Sequence, residues 1–150
     1  MSYKERTITV TLVCYSLVLV FFLIRLFQMV LAGGLDSRGV FRLWGTTITL
    51  AIIVTILATI LTNIGSRIIH AVKTKEKPGI KEIHDERDKS IDLRGTKVSY
   101  FASLLGIPLS MLTYVLGQPP LVMFTMLIFF GIAAQILGDI TRLYLYRRGF

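Results

Sequence analysis

Residues 98–144 read VSYFASLLGIPLSMLTYVLG, then QPP, then LVMFTMLIFFGIAAQILGDITRLY. Each of the two apolar runs reaches the about 20 residues that a helix needs to cross about 30 Å of hydrocarbon. Between them stands Gln118-Pro119-Pro120. Proline cannot continue the first helix, but it can open the second, where the first N–H groups have no partner inside the helix anyway. The stretch therefore predicts an antiparallel pair of membrane helices, 98–117 and 121–144. Pro108 is expected to kink the first of them.

Two more runs of spanning length lie upstream. One covers 7–31 and ends at Gly33-Gly34; the other covers 43–72 and opens on Trp44 at the expected interface. The first is too long for the roughly 7–15 apolar residues of a signal peptide, so it reads as a retained helix. Ala32–Arg42 is short and turn-like, whereas 73–97 is long and densely charged. Within the latter, Pro78-Gly79 ends the second helix. Beyond it Ile80, Ile83, Arg87, Ile91, Arg94 and Val98 recur at helical spacing, with Glu82, Asp85, Asp88, Lys89 and Asp92 on the other face. That pattern predicts a short amphipathic helix on the membrane surface, bent at Gly95 into the third span. The fold class is thus all-α: one domain over 1–150, an integral membrane four-helix bundle with a cytoplasmic segment at 73–97.

Composition agrees. Hydrophobic residues make up 53% of the 150 and charged ones 17%, against about 25% charged in a soluble domain. The net charge of +8 would suit a nucleic-acid binder, but the charges sit at span ends and in one loop. They set orientation instead. Lys4, Arg6, Arg67, the eight basic residues of 73–97 and Arg142, Arg147 and Arg148 fall on one side; Arg25, Arg38 and Arg42 fall on the other. The expectation is a multi-pass protein of the cell membrane with both termini in the cytoplasm. Cys14 stands alone, which leaves no intrachain disulfide and no cysteine cluster for zinc.

Polar residues within the spans are the candidates for function. Asp139 is the acid of the helical spans, and Gln135, Asp139 and Arg142 share one face of the fourth. On the second, Thr55, Thr59, Asn63 and Arg67 form a stripe at i, i+4. If the two faces meet, Asp139 pairs with Arg67 or Asn63; the simpler alternative is its own neighbour Arg142. At about 1.5 Å per residue, these charges fall near a membrane boundary rather than at the midplane. Ala102, Gly106 and Ser110, and likewise Ala134 and Gly138, recur every fourth residue, as close helix packing requires. His84 and Asp88 are spaced to share a metal, but an exposed charge run is more often a solvated face. No phosphate-binding loop, serine elbow or zinc-protease motif is present, and no cofactor is expected.

Asp85-Glu86-Arg87-Asp88, then Ile91, Arg94-Gly95 and Tyr100, resemble the signature of a family of small prokaryotic four-helix membrane proteins to which no activity is attached. The resemblance implies a fold and a membrane location, and it draws attention to Asp85, Arg87, Asp88, Arg94 and Gly95. A physical role follows from their placement. Acids early in a helix favour its dipole, and the two arginines could hold lipid phosphates or carboxylates at the inner mouth, Asp139 included. Three functions remain open. The leading one is a non-enzymatic interaction or regulatory protein, with a homodimer or another membrane protein as partner. The second is a small oligomeric transporter or channel with its path along helix two. The third is a membrane enzyme using His84 and nearby acids.

Overall fold

The computed structural model describes residues 3–73 and 86–148, with side chains at 5–57, 60 and 86–148. Four α-helices make up the described chain: α1 (Tyr3–Leu31), α2 (Ser37–Lys73), α3 (Glu86–Val115) and α4 (Pro120–Arg147). Each contains a stretch long and apolar enough to cross a membrane.

The helix ends follow from local chemistry. At the end of α1, Gly33 and Gly34 adopt φ of 121° and 112°, conformations open mainly to glycine. The Gly34 N–H then donates to the Met29 carbonyl at 3.3 Å and closes the turn. Gly117, at φ 83°, does the same for α3, with the Gln118 N–H donating to the Thr113 carbonyl at 3.1 Å. Pro119 and Pro120 follow, and α4 begins without a side-chain cap.

Three helices begin well ahead of where hydropathy alone places them, α1 at Tyr3 rather than 7 among them. α2 starts at Ser37 rather than 43, because nothing in Ser37–Arg42 prevents a helix and the Val40 N–H already donates to the Asp36 carbonyl at 2.9 Å. α3 starts at Glu86 rather than 98. The described part of the expected surface helix, residues 86–97, is the first two fifths of the same unbroken helix as the third span. Gly95 lies inside it, and its missing side chain serves packing, as described below. Pro78-Gly79, His84 and Asp85 lie outside the described residues.

α4 is the central element. It packs most extensively on α3, then on α1, and only slightly on α2; α1 also packs on α2. Among the described residues α3 touches α4 and no other helix. Val18, Phe22, Leu43 and Ile132 form the buried core between α1, α2 and α4. Trp44 stands edge-on to Phe124, with centroids 5.7 Å apart, so α2 and α4 start at the same end of the molecule.

Candidate functional site

At the charged end, α3 begins where α4 finishes, and the side chains singled out in the sequence meet others that were not. The approach is close because glycines line it. Gly95 and Gly138 are both buried. A Cβ on Gly95 would run into the Arg142 side chain, and one on Gly138 into the Ser99 hydroxyl, with the Gly95 carbonyl oxygen 3.1 Å away. Farther along the hairpin, Gly106 lies against Phe130. The expected small-residue rows thus do form the α3–α4 contact, with Gly106, Ser110, Ala134 and Gly138 all buried. Such contacts bring backbones together and let side chains from one helix reach across the other.

Arg142 occupies the space over Gly95. Its Nη1 donates to Asp139 Oδ1 at 2.7 Å, its Nη2 donates to Thr96 Oγ1 at 3.0 Å, and its Nε lies 3.6 Å from Asp92 Oδ1. The planar guanidinium fork can reach oxygens on two helices at once. Burial grades the pair: Asp139 is 2% exposed, whereas the Asp92 side chain is 55% exposed. The bridge to Asp139 therefore carries most of the electrostatic weight, and the one to Asp92 is screened by solvent. Gln135 Nε2 stands 3.4 and 3.5 Å from the two Asp139 oxygens, at the outer limit of a useful hydrogen bond. One turn beyond, the Tyr146 hydroxyl donates to Asp88 Oδ1 at 2.8 Å.

The signature residues therefore divide by face. Asp88, Ile91 and Gly95, joined by Asp92, Thr96 and Ser99 from outside the signature, form the face of α3 that meets α4, with Ile91 fully buried. Arg87 and Arg94 lie on its exposed sides. The guanidinium that holds Asp139 belongs to Arg142, the neighbour on its own helix. Asn63 and Arg67 belong to α2, but their side chains, like that of Thr59, lie outside the described residues, as does Asp85. Of the helix-two stripe, Thr55 is described: its hydroxyl donates to the Ala51 carbonyl at 2.7 Å and meets Tyr15 Oη at 3.0 Å, which turns it toward α1.

Asp92, Thr96, Ser99 and Tyr146 were not anticipated as members of the site. A signal for them exists. Asp88 and Tyr146, Asp92 and Arg142, Ser99 and Gly138, and Gly106 and Phe130 are pairs nearly equidistant from the Gln118-Pro119-Pro120 turn. An antiparallel hairpin matches residues in that way, so the turn alone sets the register.

Chemically the cluster is a clasp. Each charged group meets a partner of opposite sign or a hydroxyl, and the network ties the two ends of the hairpin. Among the described residues no group of three His, Cys, Asp or Glu comes together. Tyr146→Phe removes the outermost tie and should lower stability by about 1 kcal/mol, below the usual 1.5–3 kcal/mol for a bond to a charged group because the site is partly wet. Melting of the purified variant in detergent measures it; an unchanged midpoint would exclude Tyr146 from the clasp.

Compared with protein-family models, curated proteins and solved structures, the chain matches none.

Proposed function

We propose that this chain is a multi-pass protein of the cell membrane, with both termini cytoplasmic, that works without catalysis by associating with another membrane helix. The single observation that carries this reading is the isolation of α3. Among the described residues it packs on α4 alone, and it leaves Phe101, Leu104, Leu105 and Met111 exposed on its other sides. Lipid tails cover an apolar face as readily as a protein does, so it is the lack of a second described helix against α3, rather than its apolarity, that leaves room for a partner. The clasp supports the same reading from the other direction, because its charged groups are engaged with one another. The basic residues at 73–97 and in the tail supply the orientation.

A photocrosslinking residue placed at Leu105, which is 63% exposed, tests the proposal in native membranes. The expected result is a protein adduct of defined mass, either a second copy or another membrane protein. The same probe at Leu17, exposed on α1, should give mainly lipid adducts. Equal lipid labelling at both positions, with no protein adduct at Leu105, would defeat the proposal.

A further inference from the structure

At the end opposite the clasp, where α1 turns into α2, lies an open cleft of about 490 Å³. Arg25 of α1 and Arg42 of α2 both line it, together with Gln28, Phe21 and Leu43, and no acid does. Among the described residues neither arginine has an ion-pair partner. The contacts of Arg25 are a long one to Gln28 Oε1 at 3.4 Å and the face of the Phe21 ring, 5.7 Å from its centroid. Two uncompensated cations therefore share one concave site. Beside it the exposed surface of α1 is apolar at Leu23, Ile24, Phe27 and Val30, and Gln28 borders both.

We propose that this cleft binds the phosphate of an anionic phospholipid, with Arg25 and Arg42 as donors and the apolar part of the lipid against the exposed surface of α1. Three features argue for it together. Guanidinium groups match phosphate oxygens in geometry and charge. Both arginines stand close to helix ends: Arg25 is six residues before the end of α1 and Arg42 five residues after the start of α2. At about 1.5 Å per residue that is within reach of the headgroup level for side chains that extend toward the interface. Finally, the surface of α1 beside the cleft is exposed and apolar at Leu23, Ile24 and Phe27, which suits the glycerol and upper acyl region of a lipid and offers a free anion nothing. A headgroup with net negative charge fits two unpaired cations better than a zwitterionic one, whose own ammonium competes for the phosphate.

Native mass spectrometry of the full chain in detergent tests this with three probes: phosphatidylglycerol, phosphatidylcholine with the same acyl chains, and inorganic phosphate. One retained phosphatidylglycerol per chain is expected. Arg25→Gln with Arg42→Gln should weaken its binding by about tenfold or more, since two charge-assisted bonds are lost. Arg38→Gln, exposed and outside the cleft, should leave it unchanged. Phosphatidylcholine should bind at least about tenfold more weakly, and millimolar phosphate should not displace the lipid. Undiminished binding by the double variant, equal binding of phosphatidylcholine, or displacement by inorganic phosphate would each overturn the proposal. Should the double variant lose its helical spectrum, the two single variants decide, each being expected to weaken the lipid and not the fold.

Discussion

Gly138→Leu should separate α3 from α4, with the largest loss of stability of any single glycine substitution in the hairpin. The reason lies in what a side chain at 138 would meet. The Ser99 hydroxyl occupies the position of the first added carbon, and the Gly95 carbonyl oxygen lies 3.1 Å from it. Ser99 can rotate away, but a carbonyl inside a helix cannot. The only relief is to move α3 outward, and α3 has no other described helix to lean on. Overpacking usually costs about 1–3 kcal/mol; here the upper end or more is expected, because among the described residues α3 packs on α4 alone. Gly131→Leu provides the contrast. Nothing lies within 4 Å of a Cβ built there, so the gain in helix propensity, about 1 kcal/mol over glycine, is the main effect. Melting in detergent, together with a distance between spin labels at Leu93 and Tyr144, reads both predictions. If Gly138→Leu melts like wild type with an unchanged distance, the two helices are not held by this close approach.

The extent to which such details can be read in a sequence depends on the kind of information each requires. Four long helices follow from the length of the apolar runs alone, and the ends of α1 and α3 follow from Gly33-Gly34 and from Gly117 ahead of two prolines. Where polar residues continue a helix, hydropathy is silent. It sees a boundary near Val98, yet Glu86–Lys97 contains no proline, so α3 extends through it. Gly95 is ambiguous for a related reason. A glycine before a span reads equally well as a bend or as room for a neighbour, and the distinction depends on Arg142, far along the chain. The candidate site divides in the same way. Periodicity places Gln135, Asp139 and Arg142 on one face of α4, and they do form one cluster. Periodicity cannot identify the helix opposite that face, however, and the polar stripe of α2 is as good a match by composition as the Asp88–Asp92–Thr96 row of α3. The connecting turn resolves the choice. A four-residue link, 116–119, forces α3 and α4 together, and once their register is counted from that turn Asp92 comes beside Arg142.

Arg142→Met should destabilise the protein far more than Asp139→Asn, although the two residues belong to one ion pair. Removing the arginine leaves a carboxylate that is 2% exposed with only the long contacts from Gln135 at 3.4 and 3.5 Å. A buried charge stripped of its partner typically costs about 3–5 kcal/mol. Arg142 also ties α4 to Thr96 and Asp92 of α3, so the hairpin loses its polar link at the same time. Asp139→Asn removes a charge but keeps an oxygen that can accept from Nη1, and the arginine retains Asp92. Its loss should be about 1–2 kcal/mol, as for a charge-assisted bond reduced to a neutral one. The double variant Asp139→Leu with Arg142→Met distinguishes the two contributions. If the penalty of the single arginine variant is that of an orphaned carboxylate, removing the carboxylate as well should recover most of it, since apolar replacement of a buried pair is often neutral or better. If the penalty comes instead from the lost ties to Thr96 and Asp92, the double variant should remain as unstable as Arg142→Met alone. Chemical denaturation of the three variants in the same detergent distinguishes these outcomes, and with them whether Arg142 serves chiefly to neutralise Asp139 or to bind one helix to the next.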